Sequence, residues 1–236
     1  MMREQISHLG NQLWEQLQTW AGPADKYGNF AKRGGFLFRR EVILHNWNSE
    51  EGQARLLRAK YKNAFYQLAH CYQAQINPFY CGVACTATVL NALQLGKNKI
   101  PVQSRFSFNN KKGMKAEYRL HTQLTLLHEG TERIKRKVEI APTIAESGVD
   151  GNAPIDPGLE LDQVKSLLEY YGAQVQSRPA IMMPDVGVKG LRQDLKRILN
   201  DEHTLIVANF HGASVGAATN GHFSTLAAYD EHSDSV

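Results

Sequence analysis

The amino-acid sequence predicts an α+β protein in which a helical part packs beside an antiparallel sheet. Up to about residue 201, apolar side chains recur mainly at helical spacing. The period then changes, because "HTLIVANFH" (203–211) and "HFSTLAAYD" (222–230) are short apolar runs typical of strands, joined by the small-residue loop "GASVGAATNG" (212–221). No segment with the composition of a linker separates the helices from the strands, so we do not expect two independent domains.

Residues 1–43 are predicted to form an N-terminal amphipathic helix followed by an irregular, Gly-rich lead-in. The helix lacks the apolar core of a signal peptide, and no stretch of the chain approaches the roughly 18 apolar residues that a membrane span needs. We therefore expect a cytoplasmic protein that does not interact with membranes. The apolar stripe of this helix consists of Ile6, Leu9, Leu13, Leu17 and Trp20.

Helices are predicted on both sides of the middle of the chain. Residues 49–73 read as one or two helices, with Ser49 as the N-cap and glutamates in the first turn. A further helix begins near Cys81 and is expected to end at Gly96, a suitable residue just past a helix C-terminus. Residues 188–201 show the same helical periodicity.

The segment between these helices is less regular. Residues 97–117 carry Lys, Asn and Gly in loop proportions, and "YRLHTQLTLLHE" (118–129) fits either a helix or a strand. A clear helix follows within 156–180. Asp156 or Gly158 is expected to open it, Leu161, Val164, Leu167 and Leu168 to form its apolar stripe, and Gly172 to close it.

Charge and cysteine content argue against nucleic-acid binding, a disulfide framework and a structural zinc site. The formal net charge is +4, and much of the excess lies between Lys111 and Lys137, which we interpret as a solvated basic insertion. A nucleic-acid surface would interleave basic residues with aromatic ones, and Tyr118 is the only Phe, Trp or Tyr in this segment. The three cysteines cannot all pair and form no CxxC motif, which argues against a disulfide framework or a structural zinc site.

Cys81 occupies a position that favours a nucleophile. It directly precedes Gly82 at the start of a predicted helix, where the positive end of the helix dipole and unpaired N–H groups lower the pKa of a thiol. Gly82 also leaves the sulfur uncrowded, so that a substrate carbonyl can approach. In contrast, Cys85 lies one turn later on an apolar helix and is expected to be a core residue. Cys71 is likewise expected to pack as a small hydrophobic side chain.

Two further residues extend this pattern. Gln75 lies six residues before Cys81, where its amide could share an oxyanion with the backbone N–H of Cys81. His222 follows a glycine at the start of a strand and could exchange protons with the thiol and the leaving amine. The order Gln, Cys at a helix start, then His on a distant strand is that of papain-type cysteine sites, which also need an Asn or Asp to hold the imidazole.

These residues resemble those of phytochelatin synthases. "QINPFYCGVACTATVLNAL" (75–93) is similar to the nucleophile segment of that family, and "GHFSTLAAYDEHSDS" (221–235) to its histidine segment. Weaker similarities occur in "LHNWNSEEGQARLL" (44–57), "YRLHTQ" (118–123) and "GLELDQVKSLLEYYGAQV" (158–175). The resemblance extends from about Leu44 to Val236 and is strongest to the short prokaryotic forms, so that 44–236 is expected to be the catalytic domain with a papain-like cysteine peptidase fold.

The resemblance implies a glutathione γ-glutamylcysteinyltransferase or hydrolase. Cys81 would attack the Cys–Gly bond of glutathione, His222 would act as general acid and base, and Gln75 would donate to the oxyanion. Glycine would leave, and the acyl group would pass to water or to a second glutathione. Substrates would include glutathione, its conjugates and phytochelatins. A heavy-metal ion such as Cd²⁺ or Zn²⁺ would enter as a thiolate complex of the substrate, with no tightly bound cofactor or protein-held metal. Tyr80, Gly82 and Gly221 are predicted to contact the substrate.

The sequence departs from the family at two positions. The catalytic Asp of the family lies on the strand after the histidine strand, and neither Asp230 nor Asp234 matches that position, so the domain is expected to be cut short at its C-terminus. The residues after Tyr229 are expected to form a hairpin with 230–234 as the turn, leaving an exposed strand edge that would favour a homodimer. Gly212 stands where many members carry an arginine.

Two alternatives stay open at this point. A papain-like peptidase that cleaves leader peptides would share the Gln-x5-Cys-Gly pattern, although such domains are usually fused to a transporter. A non-catalytic module that binds thiols or peptides would be favoured by an incomplete triad. Release of glycine from glutathione would separate the first hypothesis from both of these.

Overall fold

The computed structural model describes residues 44–76, 79–107, 115–136, 158–178, 187–211 and 221–236. These residues divide into two compact units, one built from residues up to Tyr66 and from Ser177 onward, the other from the residues between. The segment predicted as an amphipathic N-terminal helix (1–43) lies outside the described residues. The described ranges hold five α-helices and two antiparallel sheets of two strands each, which confirms the α+β class.

The elements follow one another in this order. The helices are α1 (Glu50–Arg58), α2 (Asn63–Cys71), α3 (Cys81–Ala92), α4 (Leu161–Tyr170) and α5 (Gly187–Ile198). The strands are β1 (Ser104–Ser107), β2 (Lys115–Tyr118), β3 (Ile206–His211) and β4 (Gly221–Leu226). Strands β1 and β2 pair with each other, as do β3 and β4. The two predicted terminal strands are thus confirmed, and residues 49–73 form two helices.

The first unit contains α1, α5 and the sheet of β3 and β4. As predicted, Ser49 caps α1, because its Oγ accepts a hydrogen bond from the backbone N of Gly52 at 3.1 Å. The expected terminal hairpin also forms, since Asp230 and Ser235 exchange two backbone hydrogen bonds of 2.8 and 3.2 Å. Just before this turn, the backbone N of Tyr229 donates to the carbonyl of Tyr61 at 2.8 Å.

The second unit is centred on α3, whose residues Cys81 to Asn91 are all buried. The helix ends at Ala92, so the predicted end at Gly96 was wrong. Gln94 adopts the left-handed conformation (φ 58°), and Leu95 N donates to Leu90 O at 3.0 Å, which closes the helix without a glycine. Gly96 has another role, because a Cβ there would lie 2.8 Å from side-chain atoms of Tyr171.

Two other predictions for this unit need correction. Residues 97–117 were expected to be a loop, but they contain β1 and the start of β2. The run 118–129 is neither a helix nor a strand beyond Tyr118; turns lead to a short 3₁₀ segment at Glu129–Thr131. Backbone groups in this run are hydrogen-bonded to side chains that are distant in the sequence; for example, His121 N donates to Asn91 Oδ1 at 2.9 Å. These bonds satisfy the backbone without a helix or a strand.

Helix α4 largely follows its predicted pattern. It closes at Gly172 (φ 100°), with Ala173 N donating to Leu168 O at 3.0 Å. It opens at Glu160 and not at Gly158, and the Glu160 N–H donates to Gln163 Oε1 at 2.9 Å. Asp156 lies outside the described residues. Three members of the predicted stripe, Val164, Leu167 and Leu168, are buried, and Leu161 is half-buried.

Candidate active site

Cys81 is the first residue of α3, as the sequence predicted. Tyr80 is the N-cap, and its carbonyl accepts the first helical hydrogen bond from Ala84 N at 2.7 Å. Because the N–H groups of the first turn have no helical acceptor, they and the helix dipole favour negative charge at this end. Tyr80 and Gly82 are buried, and Cys81 is 9% exposed. The thiol therefore lies in a packed region at the electropositive end of a helix.

The chain just before the nucleophile packs against Gly158. A Cβ at residue 158 would lie 2.5 Å from the carbonyl oxygen of Phe79, closer than a real side chain can approach. Gly158 also has a φ of 91°, a conformation that residues with a side chain rarely adopt. Sequence reasoning considered Gly158 only as a helix opener. Its observed role is to let the backbone that precedes α4 approach the backbone that leads to Cys81.

Gln75 lies in a segment outside the helices and strands, where successive residues alternate in exposure. Gln73 and Gln75 are half-buried, whereas Ala74 and Ile76 are exposed. The buried side chain of Gln123 holds this segment, because its Nε2 donates to the Ala74 carbonyl at 2.7 Å and its Oε1 accepts from Ile76 N at 3.0 Å. The backbone on both sides of Gln75 is therefore fixed by one amide.

The loop that carries Gln123 is itself attached to α3. The side-chain amide of Asn91 donates to the carbonyl of His121 at 2.8 Å and accepts from its N–H at 2.9 Å. Gln73 Nε2 donates to the same His121 carbonyl. Residues 121–123 thus connect the Gln75 segment to the nucleophile helix. The sequence showed this loop only as part of a weak family similarity, so its role was missed.

His121 is buried and neutral. Its Nε2 lies 2.7 Å from the carbonyl oxygen of Leu95, which can only accept, so Nε2 carries the proton. Its Nδ1 has no hydrogen-bond partner among the described residues. Burial lowers the pKa of His121, and the nearby charge of Lys97 adds to this effect, while the hydrogen bond to Leu95 opposes it. His121 therefore stabilises the loop in its neutral form.

His222 is the second residue of β4 in the first unit. It lies directly opposite Phe210 on β3, and the two rings make an edge-to-face contact with centroids 5.5 Å apart. The imidazole is half-buried, and Gly221 before it is exposed with open space around its Cα. The predicted location of His222 at the start of a strand is confirmed. Its catalytic role stays a prediction.

The two aspartates after β4 are bound by arginines. Arg58 donates to Asp230 at 2.6 Å, and Arg192 and the Tyr229 hydroxyl donate to Asp234 Oδ1 at 2.8 and 2.7 Å. Burial alone would raise the pKa of Asp230, but hydrogen bonds from Arg58 and Ser233 outweigh it and lower that pKa. Both carboxylates thus anchor the terminal turn to helices α1 and α5.

The predicted site residues fall into two groups. Gln75, Tyr80, Cys81 and Gly82 belong to the second unit, and Gly221 and His222 to the first. Within the described ranges, no cluster of three or more His, Cys, Asp or Glu side chains could hold a metal ion. In the same ranges, no helix has the length and apolarity required to cross a membrane.

Comparison with known proteins identifies the family. No curated protein sequence is similar enough to the chain to count as a match. The family model of phytochelatin synthase, however, matches residues 41–236. This range includes α3 with Cys81, the Gln123 loop and the strand that carries His222. Because the match covers most of the chain, the protein belongs to the phytochelatin synthase family.

Proposed function

We propose that the protein is a cysteine-dependent enzyme that cleaves the Cys–Gly bond of glutathione and transfers the γ-glutamylcysteinyl group. The observation that carries the proposal is the family match over residues 41–236. The position of Cys81 at the start of a buried helix supports it, because that end of a helix favours the thiolate that must attack. A papain-like fold is part of the same proposal.

The proposed first half-reaction forms a thioester. The Cys81 thiolate attacks the carbonyl carbon between cysteine and glycine, and the side-chain amide of Gln75 and the backbone N–H of Cys81 donate to the oxyanion. When the tetrahedral intermediate collapses, the C–N bond breaks and His222 protonates the departing amine of glycine. The products are free glycine and γ-glutamylcysteine esterified to the sulfur of Cys81.

The proposed second half-reaction consumes the thioester. Water, or the amine of the γ-glutamyl group of a second glutathione, loses a proton to His222 and attacks the thioester carbonyl. The C–S bond breaks and the Cys81 thiolate is restored. Attack by water gives γ-glutamylcysteine. Attack by glutathione gives a phytochelatin, which is glutathione extended by one γ-glutamylcysteinyl unit. Tyr80, Gly82 and Gly221 are proposed to contact the substrate, and a heavy-metal ion would arrive as a thiolate complex of glutathione.

The test is release of glycine from glutathione. We expect free glycine and a γ-glutamylcysteine-containing product, identified by mass spectrometry, from the wild-type protein. Cys81→Ser should release none, because a serine hydroxyl ionises far less readily than a thiol. Cys85→Ser is the matched control, since Cys85 lies one turn further along α3 and is equally buried at 9% exposure. Glycine release that survives Cys81→Ser would contradict the proposal, and cleavage of a leader peptide without glycine release would favour a peptidase.

A further inference from the structure

One buried side chain holds the backbone on both sides of the proposed oxyanion donor. Gln123 is 3% exposed, and its two amide atoms bond to the carbonyl of Ala74 and the N–H of Ile76 at 2.7 and 3.0 Å. Both of these residues are exposed, whereas Gln73 and Gln75 in the same segment are half-buried. Two hydrogen bonds of Gln123 therefore hold the backbone on either side of Gln75.

The position of Gln123 is in turn fixed relative to the nucleophile helix. Two residues before it, His121 exchanges two hydrogen bonds of 2.8 and 2.9 Å with the side chain of Asn91. Asn91 is itself buried on α3, at 3% exposure. A continuous set of hydrogen bonds thus runs from α3, which begins with Cys81, through residues 121–123 to the backbone around Gln75.

We propose that Gln123 is a positioning residue that sets Gln75 relative to Cys81, an inference that rests on the proposed function. An oxyanion donor lowers a barrier only if it already points to where the charge develops, and a displacement of about 1 Å can cost 10²-fold in rate. Both polar atoms of the buried Gln123 side chain are bonded to the segment, so in this proposal Gln123 acts on the reaction through Gln75.

The same unit contains a second glutamine clamp, which holds Leu120, the residue before His121. Gln103 also holds one backbone residue with both amide atoms, donating to the Leu120 carbonyl at 2.5 Å and accepting from Leu120 N at 3.0 Å. Gln103→Met removes such a clamp but leaves the bonds of Gln123 to Ala74 and Ile76 in place, and so reports the effect of loosening the chain beside the loop without releasing the Gln75 segment. Gln103 is exposed whereas Gln123 is buried, so the two substitutions can differ in their cost to stability. The thermal unfolding of every variant is therefore measured as well.

The experiment is a double-mutant cycle between Gln123→Met and Gln75→Ala. Two substrates are used, glutathione with glycine release and p-nitrophenyl acetate, because attack on either passes through an oxyanion. In the wild-type background, Gln123→Met should lower kcat about 10- to 100-fold with little change in KM. In the Gln75→Ala background the same change should have almost no effect, because the donor it positions is absent. Gln103→Met should lower kcat far less than Gln123→Met does in the wild-type background, because it leaves both bonds to the Gln75 segment in place.

Equal losses of kcat in both backgrounds would overturn the inference, because Gln123 would then act independently of Gln75. If Gln123→Met does not fold, Gln123→Asn takes its place in the cycle, since it keeps an uncharged amide but is one methylene too short to hold both Ala74 O and Ile76 N in their present positions. A reaction with the ester but not with glutathione would overturn the proposed substrate, while the ester cycle still decides the role of Gln123. No Cys81-dependent reaction with either substrate would overturn both.

Discussion

At the scale of single residues, position along a helix distinguishes the three cysteines better than burial does. Cys81 and Cys85 are each 9% exposed, whereas Cys71 at the end of α2 is half-buried. Only Cys81 lies in the first turn of a helix, and burial raises the pKa of the Cys71 thiol. We predict that iodoacetamide below one equivalent at neutral pH modifies Cys81 first, as mapped by peptide mass spectrometry. Faster modification of Cys71 would contradict the assignment of Cys81 as nucleophile.

The proposed role of Gln75 leads to a specific split between kinetic constants. Gln75→Ala should lower kcat by roughly 10²–10³, the scale for losing one oxyanion donor. KM should change far less, because the oxyanion forms only after substrate has bound and the thiolate has attacked. Steady-state kinetics of glycine release measure both constants. A raised KM with an unchanged kcat would instead make Gln75 a residue that binds the ground-state substrate.

At the scale of elements, a comparison of two glycines with similar backbone conformations distinguishes the effect of backbone strain from the effect of a close packing contact. Gly158 and Gly172 have φ values of 91° and 100°, but only a Cβ at Gly158 meets the Phe79 carbonyl, at 2.5 Å, while one at Gly172 meets nothing within 4 Å. Gly172→Ala should therefore cost about 1–2 kcal/mol of stability from strain alone, with little effect on kcat. Gly158→Ala should cost more, and should lower kcat about 10-fold or more because it displaces the backbone before Cys81.

Chemical denaturation and glycine-release assays on both variants check this prediction. The ratio of their kcat values is the informative quantity, since both substitutions introduce an alanine at a positive φ. Equal kcat values for the two variants would show that the contact between Gly158 and Phe79 does not position the nucleophile.

Elements determined by local sequence could be predicted, and those determined by distant contacts could not. The cap at Ser49, the end of α4 at Gly172 and the starts of α3 and β4 follow from short patterns of residues. The end of α3 does not follow from such a pattern. Gln94 takes the left-handed conformation expected of a glycine, and Gly96 instead packs against Tyr171, a residue distant in the sequence.

The same distinction applies to the candidate site. Cys81 and His222 were found from their local sequence neighbours, and their locations at a helix start and a strand start are confirmed. The contacts of Gln123 with Ala74 and Ile76, and of Gly158 with Phe79, were missed because they join residues far apart in the sequence. No local pattern distinguishes a glutamine that holds a backbone from a glutamine in an ordinary loop.

At the scale of the whole molecule, the first unit is assembled from distant parts of the chain. Asn63 Nδ2 donates to the carbonyl of Asn200 at 3.0 Å, and the Arg58–Asp230 pair joins residues 172 positions apart. Asp230 is 4% exposed, so its carboxylate depends on Arg58 and on Ser233 for compensation. The second unit has a different ionisable group in its interior, the neutral imidazole of His121.

These two groups predict that acid weakens the units over different pH ranges. Both have folded-state pKa values below their ordinary values of 6.5 for His121 and 3.8 for Asp230. In each case the unfolded chain takes up protons first, so the stabilisation is complete above the ordinary pKa and is lost as pH falls through the lower, folded value. The second unit should therefore begin to weaken below about pH 6.5, and the Asp230 contribution to the first unit only below about pH 3.8.

Hydrogen exchange followed by mass spectrometry, corrected for the intrinsic pH dependence of exchange, tests this order. Between pH 6.5 and 4.5, we expect the opening free energy of peptides from α3 to fall while that of peptides from β3 and β4 stays nearly constant. His121→Phe keeps an aromatic ring beside Tyr171, whose centroid lies 4.9 Å from that of His121, but cannot titrate. It should lower stability at every pH, since Leu95 O loses its donor, and it should flatten the pH dependence of α3. An unchanged slope in this variant would show that another group causes the acid sensitivity of the second unit.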